Sequence, residues 1–186
     1  MMSRTLRVAL GVVLAMIAAK AGDAGTTGGS GTTRIQLLDR TAPVPAAWVP
    51  ERPTSSMRLA QFRVPAAPGS GQAEFIVFYF GQGEGGSVDA NIARWQSQFS
   101  SPDGKPVTPA IDRFTVGGIP VTVAEFTGSY ARSVGMGGGG PAVPDQTLLS
   151  AIVETPKGNL WIQLHGPRAT VRANREAFLA MVRGIQ

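Results

Sequence analysis

The chain has 186 residues, a formal charge of +5, one histidine and no cysteine. Without cysteine, thiol catalysis, Cys-ligated zinc, iron–sulfur clusters and a disulfide framework are all excluded. The basic side chains are scattered singly, not gathered on a stripe with interleaved aromatics, which argues against a nucleic-acid partner.

The chain opens with a basic segment carrying Arg4 and Arg7, followed by an apolar run over residues 8–19 and by small-x-small sites at Ala19-Lys20-Ala21 and Gly22-Asp23-Ala24. These are the three parts of a cleavable secretion signal, and the apolar run is short of the roughly 20 residues a spanning helix needs. Residues 1–24 are therefore expected to be a signal peptide. The mature chain is expected to be periplasmic or extracellular, with no transmembrane span. Removing the signal lowers the formal charge to +3. Residues 25–45 are expected to be a flexible linker, because the Gly, Thr and Ser run over 25–33 buries too little apolar surface to offset its ordering entropy, although 35–38 has the composition of a short strand. Pro43, Pro45, Pro50 and Pro53 around Trp48 predict an extended lead-in. The rest, 46–186, suits one domain.

Within that domain, residues 57–64 predict a strand. Residues 73–80 predict a stronger one, apolar on both alternating sides and hence central. The glycine-rich stretch 81–86 breaks it. Ser87 is a good N-cap, Asp89 suits the first helical turn, and Val88, Ile92, Trp95 and Phe99 recur on one helical stripe that stops near Ser100-Ser101-Pro102. Residues 111–116 and 119–130 flank Gly117-Gly118 as a hairpin, and 147–154 and 160–165 flank a turn at 156–159 as another. Residues 170–185 carry Val171, Phe178, Met181, Val182 and Ile185 at helical spacing. The long segment 131–146 is rich in glycine and is expected to be disordered. Hairpins interleaved with helices predict an α+β class: a mostly antiparallel β-sheet flanked by helices on both faces.

Candidate chemistry is sparse. Residues 81–86 match the pattern G-x-G-x-x-G between a strand and a helix, where backbone N–H groups can cradle a phosphate. Glu84 opposes an anion there, and a hairpin follows where a βαβ unit needs a parallel strand, so a tight turn is expected and no cofactor is assigned. The glycines after Gly135 open no helix and lack a P-loop lysine. His165 is the only histidine, which leaves no His-pair metal site; no nucleophile elbow accompanies it, so a structural histidine is expected, with a His165-dependent hydrolase as the rival. Carboxylates are dispersed without metal-loop spacing, and no metal site is assigned. Glu125 shares a strand face with Val121 and Val123 and is expected to have an Arg or Lys partner. Asn91, Arg94 and Gln98 form a polar stripe, either a solvated flank or a surface for a ligand.

The layout from about residue 46 onward resembles the PsbP-like α/β/α sandwich. The residues that carry the likeness are Trp48, the strand 73–80 followed by Asn91-Ile92-Ala93-Arg94-Trp95, the Val116-Gly117-Gly118 turn, Gly166-Pro167 and the segment 178–185. Residues 78–99 also look like an uncharacterised group of secreted bacterial proteins. The resemblance implies the fold, and it implies a binding, assembly or accessory role in place of catalysis; no metal or anion site of the photosystem members is matched here. The expected function is a secreted or periplasmic non-catalytic binding or accessory domain for an unidentified protein or small molecule. Its candidate contacts are Gly83, Gly85, Gly86, Asn91 and Arg94. A structural envelope domain is the further alternative.

Overall fold

The computed structural model describes residues 33–131 and 141–186. The expected signal peptide, the start of the expected linker and the glycine run 132–140 lie outside the described residues.

The first described element corrects the linker. Strands β1 (Thr33–Leu37) and β2 (Arg40–Val44) form an antiparallel hairpin. Composition hid it, because only alternate residues are apolar: Leu37, Ala42 and Val44 are buried in the main core, while the intervening side chains stay at the surface. Backbone bonds latch the hairpin to the far end of the chain. Thr41 N–H donates to the Gln186 carbonyl (2.8 Å), Gln186 N–H donates back to Thr41 (3.0 Å), and Arg34 Nη2 donates to the Gly184 carbonyl (3.1 Å).

The main sheet has eight strands: β3 (Val49–Glu51), β4 (Arg58–Val64), β5 (Ala73–Phe78), β6 (Phe99–Ser100), β7 (Ala110–Val116), β8 (Ile119–Tyr130), β9 (Val143–Thr155) and β10 (Gly158–Pro167). Their order is β3-β4-β5-β10-β9-β8-β6, with β7 also on β8, and every pairing is antiparallel. The strand β5, apolar on alternate sides, is interior as its pattern predicts. The first half of β8 pairs with β7 and its last residues pair with β6. The terminal strands are short: three residues in β3, with Pro50 in the middle, and two in β6. Residues 143–146, expected within a disordered loop, extend β9 along β8, with Val143 opposite Tyr130 and Gln146 opposite Gly128.

Helix α1 (Val88–Gln96) starts where its cap predicts, with Ser87 Oγ accepting from Ala90 N–H at 3.2 Å. It ends before the expected Ser-Ser-Pro stop, because Phe99 and Ser100 leave the helix to pair with Tyr130 and Ser129. Helix α2 (Arg168–Arg183) follows directly on β10.

Successive strand residues point to opposite sides of a sheet, and the buried residues divide accordingly. Leu160, Ile162 and Leu164 of β10 join Phe75, Val77, Val121, Val123, Leu149 and the α2 residues Val171, Phe178 and Val182 in one cluster. Trp161, Ile152, Ala124 and Phe126 join the α1 residues Ile92 and Trp95, with Phe99, in a second.

Candidate functional site

The site lies in the second cluster, where β5 runs through the loop 81–86 into α1. Gly85 has φ +87°, a backbone region that side chains rarely adopt, and a Cβ there would come within 2.7 Å of Trp161 Nε1 and 2.9 Å of Phe80. Position 85 is thus reserved for glycine by conformation and by space. The loop is held from behind by Asn91, which is buried. Its Nδ2 donates to the carbonyls of Gly85 (2.7 Å) and Ser87 (3.0 Å), and its Oδ1 accepts from Arg94 Nη2 (2.6 Å). Asn91 is therefore no solvated flank: it is buried, both its donors and its carbonyl oxygen bond to neighbouring protein groups, and these bonds position the loop and Arg94.

Beside this loop opens a cleft of about 200 Å³. One wall is aromatic: Phe78 and Phe80 stack with ring centroids 5.9 Å apart and planes 6° off parallel, and Phe80 remains partly exposed. Trp95 meets Trp161 edge-on at 6.2 Å deeper in. Two guanidiniums reach the rim. Arg58, opposite Phe78 in strand register, lies 5.4 Å from that ring, and its Nη1 donates to Glu74 Oε1 (2.8 Å) and Gln61 Oε1 (2.9 Å). Its charge is compensated by Glu74. Arg94 lies 6.0 Å from the Trp95 ring and lines an adjoining recess of about 340 Å³ with Phe80, Gly85 and Gly86. It stands between two hollows, with no carboxylate bonded to it among the described residues.

His165 lines the same cleft, 4.4 Å from the Tyr130 ring and edge-on to Phe99 at 6.5 Å. Cross-strand it faces Glu74. No Ser, Thr or Asp lines the cleft; the hydroxyl-bearing side chain among its lining residues is Tyr130, whose ring packs against His165. Among the described residues no group of three or more His, Asp and Glu gathers as for a metal. The G-x-G-x-x-G stretch follows β5, whose neighbours β4 and β10 both run antiparallel to it, unlike a dinucleotide-binding βαβ unit.

Of the sequence candidates, Gly85, Gly86, Asn91 and Arg94 come together around the adjoining recess; Gly83 sits apart, with open space around it. Sequence reasoning missed Arg58, Glu74, Phe80 and Gln163, which line the aromatic-walled cleft. The alternation of β5 with an aromatic pair at its end was the available signal. Glu125 lies elsewhere and has the partner expected of it: its Oε2 accepts from Arg175 Nε of α2 at 3.0 Å. That bond is the main cause holding the Arg175 guanidinium above its ordinary pKa, with partial burial pulling the other way.

No family model and no curated protein matches the chain. Among solved structures it is similar to the solution structure of cyanobacterial PsbP (CyanoP) from Synechocystis sp. PCC 6803, with TM-score 0.52 and 12% identity over 89% of this chain and 99% of that one. It is also similar to PA94, a protein of unknown function from Pseudomonas aeruginosa, with TM-score 0.44 and 15% identity over 81% and 93% of the two chains. The fold is PsbP-like, and at these identities the likeness extends to fold alone.

Proposed function

We propose that this chain is a non-catalytic binding or accessory domain working in the periplasm or outside the cell, with α1 and α2 cladding opposite faces of its sheet and its ligand seat in the α1-side cleft. One observation carries the binding role. A concave surface combines a stacked aromatic wall and two guanidiniums held in place by internal bonds, with no serine or threonine among its lining residues. A small number of placed polar groups in an apolar hollow is what a binding site needs, and an acyl-transfer centre needs more. The basic-apolar-small order of residues 1–24 supports export. The division of β10 side chains between the α2 and α1 clusters supports the two-sided cladding. Among the described residues no helix is long and apolar enough to cross a membrane.

The test is an amide-resonance titration of the purified chain with a set of small aromatic and aliphatic fragments, followed in parallel for turnover. Shifts confined to β5, β10 and α1 without conversion of any fragment are expected. Hydrolysis of a fragment that disappears in His165→Gln would overturn the non-catalytic reading. Fractionation of expressing cells checks export: a shortened chain is expected outside the cytoplasm, and a full-length chain confined to the cytoplasm would refute it.

A further inference from the structure

Resting on that reading of the cleft, the geometry points to a ligand class: a small organic carboxylate bearing one aromatic ring. The charges decide the sign. Five ionisable side chains line the hollow, Arg58, Glu74, Arg94, Tyr130 and His165, and Glu74 is bonded to Arg58, so that pair contributes little net field. Arg94 is left as the cation without a carboxylate partner among the described residues. It is bonded only to the neutral Oδ1 of Asn91, which fixes one Nη and leaves the rest of the fork for a guest. Glu84, the acidic residue of the neighbouring loop, does not line either hollow.

Shape and surface decide the remainder. The cleft holds the volume of roughly seven waters at about 30 Å³ each, and lies below the ~300 Å³ at which drug-sized pockets begin. The cleft by itself has room for a single ring with a short substituent, and the recess of about 340 Å³ lies beyond the shared Arg94 and Phe80. The near-parallel stack of Phe78 and Phe80 offers a planar wall against which another ring adds as the next member of an offset stack. Phe80 keeps 37% of its surface exposed, so its ring face is open to a guest in the cleft. A carboxylate on Arg94 and a ring on Phe80 use the two groups that the cleft and the adjoining recess share.

The test compares benzoate, benzamide and benzylamine at millimolar concentration, matched in ring and differing in charge, by the shifts of the Trp95 and Trp161 indole resonances of the full-length chain. Benzoate is expected to bind about tenfold or more tightly than either of the others, the difference a charge-assisted bond supplies. Arg94→Gln is expected to erase that preference and Arg94→Lys to restore part of it. Phe80→Ala, at an exposed position that should leave folding intact, is expected to weaken benzoate as well. Benzamide or benzylamine binding as tightly as benzoate would overturn the anion preference while leaving a binding cleft in place. Benzoate binding that ignores both Arg94→Gln and Phe80→Ala would place it elsewhere and overturn the site. Silence of both indoles toward all three probes would remove the carboxylate inference, and silence toward the wider fragment set would remove the cleft as a binding seat.

Discussion

The two buried clusters are built differently. The one containing α2 is larger and mostly aliphatic, with Trp48, Phe62, Phe75 and Phe178 among many Val, Leu, Ile and Ala, and it extends to the N-terminal hairpin. The one containing α1 is smaller and aromatic, built on Trp95, Phe99, Phe126 and Trp161. Helix length is one reason. At about 1.5 Å per residue, the 16 residues of α2 reach about 24 Å, whereas the nine of α1 reach about 14 Å. Adjacent strands lie about 4.8 Å apart, so seven in a row span nearly 30 Å. A short helix leaves part of such a sheet to be covered by large side chains, and the cleft opens where that cover gives out. The larger buried cluster thus lies with α2, and the proposed ligand seat lies beside the cluster of α1.

Substitutions that separate these roles should rank in a definite order. Phe178→Ala, at a fully buried position in the α2 cluster, should cost about 4 kcal/mol in urea unfolding. A loss below about 1 kcal/mol would show that this cluster is not the stabilising one. Gly85→Ala should cost about 2 kcal/mol, from the left-handed backbone and the close approach to Trp161, and should alter the near-UV tryptophan signal. An unchanged signal would mean the loop does not press on the indole. Asn91→Ala, which removes three internal hydrogen bonds from a buried site, should cost about 1–3 kcal/mol and speed amide exchange over 81–87, with exchange in α2 little changed. Equal acceleration in both regions would dissolve the contrast between them.

Glu125→Gln should be milder, at most about 1 kcal/mol, because its bond to Arg175 is partly solvated. Smallest is an effect at Asp103. Its carboxylate is held below its ordinary pKa by the Lys105 and Ser101 side chains, so any stabilisation it gives is present above the unfolded value and lost as the pH falls through the folded one. A carbon-detected titration should place its midpoint below that of a free aspartate, and a midpoint at or above the free value would contradict the bonds drawn there.

Much of the large sheet was legible because its strands obey period two over long runs, as at 119–130 and 160–165. The hairpin at 33–44 was not, since its apolar positions are few and lie among proline, threonine and arginine. Their burial depends on α2, more than a hundred residues away. The site was half legible for a similar reason. Gly85, Gly86, Asn91 and Arg94 are neighbours in sequence and could be read as a group. Arg58 and Glu74 come from separate strands and meet only through the β4–β5 register. Asn91 is the instructive case. Helical periodicity places it on a polar flank, but the glycine-permitted loop folds over it, so a residue that reads as solvent-facing is sealed inside.

The brevity of β3 and β6 has a consequence for life in a crowded compartment. A foreign strand seeking to zip onto either extremity of the sheet would find only two or three residues to grip, and at Pro50 one of them lacks an N–H. The longer outer strand β7 presents Asp112 and Arg113 to solvent, side chains that resist being stripped of water. The sheet is thereby blunted at its margins against strand-to-strand pairing with another chain.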